Sequence, residues 1–543
     1  MSYLAKILSR HGLPVIVLAA ATEPRLTTEM PPRHPPGSLS PRQISQIHAH
    51  FIKTPQSHIL NPLLGALTSS AAPLDALFLY NIMLRHPAAH NHYTFTYALK
   101  ACSILQARHK GTEIHAGVLK SGHCSDVFIQ NSLLHFYFLS NDVVSANRIF
   151  GSIQFPDVVS WTSLISGLSR CGFEREALDK FAAMDVEPNC ATLVSILSAC
   201  CGLWELNSGR AIHGYVLKNW RRVGVILWNA VLNLYVKCGF IWGARNLFTK
   251  MPERDVFSWT TMIGGYALSG FHKDSIELFQ EMLQVGPEPN EATVVTALSA
   301  CSSSGVTTSS EWVHTYLSSQ RNIPINGPVG NALINMFVKC GNVGKAIGVF
   351  IDLQAKDVVS WSTIISGLAM AGRGNHALQL FSLMLVHGIP PDGVTFIGLL
   401  SACSHSGLIN QGLMLYEAMD RVYGIQPQMQ HYACVVDMYG RAGLLEEAEA
   451  FIRAMPVEAD GSVWGALLNA CKVHGDEVMF GLIRTGLVRS RSVSIGTLAL
   501  LSNAYAGCEK WNDANRIRND MRLAGLKKMA GSSRVEIRPM INI

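Results

Sequence analysis

Three stretches decide how this chain folds: SWTSLISGLSRCG (Ser160–Gly172), SWTTMIGGYALSG (Ser258–Gly270) and SWSTIISGLAMAG (Ser360–Gly372). They recur about 100 residues apart, and the intervals divide again into units of 31 to 36 residues, a period of helical solenoids. The units are 92–126, 127–157, 158–189, 190–224, 225–255, 256–290, 291–326, 327–357, 358–392, 393–428 and 429–459. Apolar residues recur at i, i+3 and i+4 on both sides of a central breaker, so every unit predicts two helices. Position 15 is the breaker: Gly172, Gly239, Gly270, Gly305, Gly341, Gly372, Gly407 and Gly443, with Asn141 in one unit, all residues that tolerate a left-handed turn. Position 20 is small, as at Gly111, Ala146, Gly209, Ser275 and Gly412, which lets the two helices approach. Position 24 inserts a ring, as at Phe150, Phe248, Phe350 and Tyr416. No unit can bury such a face alone. Neighbours must stack, which predicts an all-α protein: an α-solenoid, a right-handed superhelix of tandem helix-turn-helix repeats with its function along a concave surface.

Composition agrees with a packed chain. Of 543 residues, 48% are apolar and 15% charged, too little charge for a disordered polymer. The stretch Leu13–Ala21 is about half of the ~20 residues a membrane-spanning helix needs, which argues against an integral membrane protein. A net charge of +6 is compatible with a nucleic-acid partner but far below an arginine-rich footprint. The 13 cysteines form no C-x-x-C pair, which removes zinc ribbons and thioredoxin-like motifs, and several recur as Ala-Cys (Cys102, Cys200, Cys301, Cys403, Cys471), as buried reduced thiols do. Residues 1–40 read as a transit peptide or disordered leader: Lys6 and Arg10 without an acid, then PPRHPP at 31–36. The apolar run at Leu13 also resembles a secretory signal, but 13 cysteines without a disulfide pattern argue for an organelle, with mitochondrion slightly favoured over plastid.

Several motifs suggest chemistry and fail on context. His115, His213 and His314 each occupy position 24 of a separate unit, where other units have Phe or Tyr, so they read as packing residues. Gly372-Arg-Gly-Asn-His-Ala377 matches a dinucleotide fingerprint but falls between two helices with no strand before it. Gly344-Lys345 lacks the spacing of a phosphate loop, and neither H-x-E nor C-x-x-C of a zinc deaminase occurs. No catalytic site, metal site or cofactor is expected. The informative variation pairs position 5 with the last residue of each unit: Asn131 with Asp157, Thr162 with Asn189, Asn229 with Asp255, Thr260 with Asn290, Asn331 with Asp357, and Ser362 with Asp392. A purely structural account has the position-5 residues cap their own helix and the last residues cap the next one, but it does not explain the orderly alternation.

These residues resemble the plant pentatricopeptide repeat family, in the subclass whose P, L and S repeats alternate. The marks are S-W-[TS]-x-[LMI]-I-x-G in P units, Ala-Cys with I-H-x-x-V-L-K in L units (Ala101-Cys102 with Ile114–Lys120; Ala199-Cys200 with Ile212–Lys218), and Asn229–Leu234 with Tyr235–Gly239 in S units. Coverage is strong over 92–459, and residues 41–91, with Leu79-Tyr80-Asn81, look like degenerate N-terminal repeats. The segment 460–537 resembles the family's E domain, from Trp464–Cys471 through Leu500–Ala506 to Gly531–Glu536, although Ser532 and Arg534 stand where the usual ending has Cys and Trp. Residues 538–543 form a tail, and with seven residues after Glu536 the expectation is a chain without the family's deaminase domain.

The resemblance implies single-stranded RNA read one base per repeat. Position 5 Asn then favours pyrimidines and Thr or Ser purines, while a terminal Asp accepts from uracil or guanine and a terminal Asn donates to adenine or cytosine. Position 2 (Phe128, Val159, Ile226, Phe257, Pro328, Val359) would sandwich the base. With the L units (Thr96/Asp126, Val194/Gly224, Val295/Asn326, Ile397/Gln428) and the final Ala433/Ala459 left unread, the expected RNA is 5′-UANUANUG-3′. The function implied is a non-enzymatic specificity factor for organellar C-to-U editing, recruiting a deaminase or editing cofactor in trans through its E domain. An RNA stability, splicing or processing factor is the first alternative, and a protein scaffold like tetratricopeptide repeats the second.

Overall fold

In a computed structural model the described residues are 57–69, 72–84, 90–220, 223–305, 307–319, 324–475, 479–480, 482–483, 495–507 and 509–523. The leader 1–40, the ending Gly531–Glu536 and the tail 538–543 lie outside them. Among the described residues there are 27 α-helices, one 3-10 turn and no strand, and no helix is long and apolar enough to cross a membrane. The chain forms two compact units, residues 1–262 and 263–543.

In the first unit, Ser57–Ser69 and Pro73–Met83 precede four helix pairs: His92–Leu105 with Arg108–Lys120, Val127–Leu139 with Val143–Ser152, Val158–Arg170 with Glu174–Ala182, and Cys190–Leu203 with Leu206–Asn219. Val225–Lys237 with Ile241–Lys250 follows, and the first unit ends within the helix Val256–Leu268. The second unit continues through pairs that begin at Glu291, Gly327, Val358, Gly393 and Met429, and ends with Gly461–His474, Ile495–Gly507 and Trp511–Leu523. Within each unit a first helix packs on its own partner and on the first helices before and after it, which is a solenoid.

The first helices show why these residues fold so. Val127–Leu139 buries Leu133, Leu134 and Tyr137, and Val358–Met370 buries Trp361, Ile364, Ile365 and Leu368, a stripe at i, i+3, i+4 and i+7. At roughly 1.5–3 kcal/mol per buried large apolar side chain, that stripe drives the stacking. Position 15 is left-handed in all of these turns. Gly239 has φ 72° and Gly407 68°, but Gln106 (52°) and Trp204 (58°) do the same without being glycine. There the helix ends in a wrapped turn, with Ala107 N–H on the Cys102 carbonyl at 2.9 Å and Glu205 N–H on the Cys200 carbonyl at 3.0 Å.

Position 20 serves a second approach besides the one read from sequence. A methyl on Gly111 would lie 2.1 Å from the Phe136 ring, and one on Gly209 2.0 Å from Leu234 Cδ2, both in the first helix of the following pair. The position-24 rings pack edge-on against the next tryptophan: Phe150 on Trp161 at 4.8 Å, Phe248 on Trp259 at 5.0 Å and Phe350 on Trp361 at 4.9 Å. His115 and His213 are half-buried, with Nδ1 at 2.7 Å from the Tyr137 hydroxyl and 2.8 Å from that of Tyr235. Burial lowers the pKa of both and of His314, which packs on Phe337. The segment after Ala459 continues the packing, since Val463, Leu467, Phe480, Leu501, Tyr505 and Ile517 share one core with Tyr432 and Ile452.

Candidate nucleic-acid interface

The last residue of most pairs is the N-cap of the next first helix. Asp157, Asn189, Asn290, Asp357 and Asp392 hold extended backbone, and each side-chain oxygen accepts the amide of the third helix residue: Ser160 at 2.7 Å, Thr192 and Thr293 at 2.9 Å, Ser360 and Thr395 at 2.8 Å. Asp255 accepts from Ser258 N in the same way at 2.9 Å. A short oxygen-bearing side chain reaches that amide, as Asp and Asn do at these six positions.

Position 5 of the preceding helix comes to the same place. Asn229 Nδ2 donates to Asp255 Oδ1 at 3.0 Å and Oδ2 at 3.2 Å; Asn131 Nδ2 donates to Asp157 at 3.4 Å and Asn331 Nδ2 to Asp357 at 3.3 Å. Ser362 Oγ lies 3.4 Å from Asp392 Oδ1 and 2.8 Å from the Thr395 hydroxyl. Thr162 and Asn189 meet only through Thr192, whose hydroxyl lies 2.6 Å from that of Thr162 and 3.0 Å from Asn189 Oδ1. Thr260 and Asn290 fall in separate units of the chain: Thr260 bonds the Val256 carbonyl at 2.7 Å, and Asn290 caps through Thr293. The structural account from sequence is thus half corrected. The last residues do cap, whereas the position-5 residues lie inside their helices, and Thr162, Thr260 and Ser362 bond the carbonyl four residues back.

A third residue type belongs to the site and was missed. Ser160, Thr192, Ser258, Thr293, Ser360 and Thr395, third in their helices, are wholly buried. Ser258 Oγ lies 2.6 Å from Asn229 Oδ1 and 2.8 Å from Asp255 Oδ1; Ser360 Oγ lies 2.7 Å from both Asn331 Oδ1 and Asp357 Oδ1. The available signal was the serine of each S-W motif. These triangles orient the amides: Asn229 and Asn331 turn their carbonyl oxygen to the hydroxyl and their nitrogen to the carboxylate. Burial works against ionising Asp157, Asp255 and Asp357, but the serine amides and hydroxyls with the asparagine amides outweigh it and hold these carboxyls below their usual range.

Beside each triangle stands an apolar residue in solvent. Phe128 is 70% exposed, Ile226 67% and Phe257 56%, and Val159, Pro328 and Val359 are exposed as well. Six such side chains at one repeat position are unlike scattered surface hydrophobes. Across three successive first helices a cavity of about 290 Å³ is lined by Val359 and Val394, both at position 2, together with Ser362 and Asp392 and, further along, Asn335 and Met370. It gathers a position-5 residue, its terminal partner and the two flanking apolar residues in one groove.

A stack of helix pairs with a repeated polar triangle and an apolar wall on one face defines a helical repeat protein of the solenoid class. Residues 159–187, 226–256, 331–358 and 431–458 match the PPR repeat model, 254–303 and 356–405 the PPR repeat family model, and 491–536 the E motif model. A pentatricopeptide repeat-containing protein of Arabidopsis thaliana is 35% identical, covering 91% of this chain and 89% of its own length. Two others from that plant, named as mitochondrial and chloroplastic, are 33% and 35% identical; each covers 90% of this chain, at 77% and 71% of their own lengths. The crystal structure of the maize pentatricopeptide repeat protein PPR10 has the same fold, with a TM-score of 0.58 at 18% identity over 89% of this chain and 77% of PPR10. The chain belongs to the pentatricopeptide repeat family and carries an E motif.

Proposed function

We propose that this protein binds single-stranded RNA and reads it one base per helix pair through the position-5 and terminal side chains. The observation that carries the reading is the hydrogen-bonding capacity the triangles leave over. Asp255 Oδ1 is occupied by Ser258 N, Ser258 Oγ and Asn229 Nδ2, while Oδ2 takes only Asn229 Nδ2 at 3.2 Å. A free lone pair there accepts the ring N–H of uracil, and the second N–H of Asn229 is left for a uracil carbonyl. Asn189 Oδ1 is taken by Thr192 N and Oγ1, so its NH₂ is the group left to donate to the ring nitrogen of adenine. At Asp392 one oxygen is taken by the amide and hydroxyl of Thr395, and the other accepts the ring N–H of guanine. Position 2 stacks against the base faces, at about 1 to 3 kcal/mol per base. The RNA so read is 5′-UANUANUG-3′.

The biological role we infer is selection of a cytidine for C-to-U editing in an organelle, with a deaminase recruited in trans through residues of about 460 to 537. The E motif match at 491–536 and relatives named for both mitochondrion and chloroplast support it. The chain would then supply specificity and no catalysis. The test is a titration against UANUANUG RNA and its scramble at one fixed salt concentration. Matched RNA is expected to bind at least about tenfold tighter; equal affinity refutes base reading.

A further inference from the structure

In four of the first helices position 9 carries a polar side chain that neither the core nor the triangles use. It follows position 5 by one turn, about 6 Å along the same face of the helix. Asn233 and Asn335 stand there after Asn229 and Asn331, and Ser166 and Ser366 after Thr162 and Ser362. His135 and Gly264 hold the place after Asn131 and Thr260. The two asparagines and two serines are half-buried. Asn233 Nδ2 reaches the Cys201 sulfur at 4.0 Å, and among the described residues the side chains of Ser166, Asn335 and Ser366 make no hydrogen bond. Asn335 and Ser366 lie on the adjacent first helices Gly327–Lys339 and Val358–Met370, and they line one cavity with Ser362, Asp392, Val359 and Val394. A methyl on Gly398, in the following first helix, would lie 2.7 Å from Ser366 Oγ. A polar group in such a place is satisfied by water until a ligand fills the cavity, and then needs its partner on the ligand.

We propose that Asn335 and Ser366 bind the ribose 2′-hydroxyl of the nucleotide whose base meets Ser362 and Asp392, and so select RNA against DNA of the same sequence. Within a nucleotide the sugar joins the base on one side and the phosphate on the other. A base held at position 5 therefore sets its ribose about one turn along the helix, at position 9. The 2′-hydroxyl both donates and accepts, and a carboxamide and a serine hydroxyl each do the same, so either side chain can bond it. A deoxyribose turns a C–H to both of them and loses those bonds in a cavity walled by Val359 and Val394. The edge of a base is the same on ribose and on deoxyribose, so Ser362 and Asp392 cannot draw this distinction themselves.

Ribose contacts at Asn335 and Ser366 rest on the base reading proposed above, and one titration series separates the two. The full chain is titrated at one fixed salt concentration with UANUANUG RNA, with its scramble, and with the matched RNA carrying 2′-deoxyribose at the final G alone. The single deoxy sugar is expected to weaken binding about fivefold, the effect of one neutral hydrogen bond. The double variant Asn335→Leu with Ser366→Ala should bind both forms of the matched RNA equally, at the affinity of the parent for the deoxy form, and still prefer matched RNA to the scramble. Circular dichroism melts of the variant verify the fold. If the parent separates UANUANUG from its scramble but binds the ribose and deoxyribose forms equally, the ribose site is refuted and base reading stands. A deoxy penalty that persists in the double variant overturns the assignment to these two residues. Failure of the parent to separate UANUANUG from its scramble refutes both readings.

Discussion

Asn229 with Asp255 and Thr162 with Asn189 differ in what they leave unbonded, and that difference carries the residue-scale predictions. Asn229→Thr with Asp255→Asn replaces a free carboxylate oxygen by a free amide, so preference at that nucleotide should move from U to A by at least about tenfold. Competition binding with singly substituted RNAs measures it, and unchanged preference sinks the paired reading. Ser258→Ala keeps the backbone amide on Asp255 but removes the hydroxyl that holds Asn229 Oδ1, so the amide can turn over about its soft terminal torsion. U selection should fall at that one nucleotide and persist where Asn131 and Asn331 act; a uniform loss would mark the hydroxyl as merely structural. The depressed carboxyls set the sign of the pH response. A carboxyl lowered by folding adds stability above its unfolded pKa of about 4, and that stability is lost as pH falls through the folded value. Selection of U should therefore be flat from about pH 8 to pH 5 in the same competition assay.

Among the elements, the helix turns and close approaches show what was legible. Period, breaker and ring position could be read because they repeat at fixed offsets, and Asn229 could be paired with Asp255 by the same arithmetic. The part played by Ser258 could not. It depends on a cap and two helices meeting at one hydroxyl, whereas in the sequence that serine is only half of an S-W mark. Gln106 was equally opaque, since its left-handed φ is imposed by the wrapped turn and not by its own preference. Gln106→Gly should relieve that strain and stabilise the fold by about 1 kcal/mol, seen as a raised urea midpoint with unchanged slope. Gly111→Ala should do the opposite. Its methyl meets the buried Phe136 ring at 2.1 Å, an overpacking that costs about 1–3 kcal/mol against a helix-propensity gain of up to ~1. Gly117 on the same helix has nothing nearer than Tyr80 Oη at 3.9 Å, so Gly117→Ala should stabilise; equal responses of the two glycines would refute the packing argument.

At the scale of the whole molecule, affinity and selectivity should separate, because different repeat positions carry them. Position 13 lies two turns beyond position 5 on the same helical face, and Met370 at that position lines the cavity with Val359 and Ser362. Arg170, Lys237 and Lys339 hold the equivalent place in their own pairs, and all three are exposed. They are suited to the phosphates between successive bases and carry no sequence information. Replacing all three by glutamine removes up to three phosphate contacts, each worth about 0.7 in the slope of log affinity against log salt for a single strand. The slope should become shallower by about 2, and matched and scrambled RNA should weaken by the same factor. The paired exchange at Asn229 and Asp255 should change the matched-to-scrambled ratio and leave the slope alone. A slope that survives the triple replacement would place the phosphates elsewhere on the surface. A ratio that collapses with it would mean that backbone contacts and base selection are coupled, contrary to a groove in which these three helix pairs present their cation and their reading residues at separate positions.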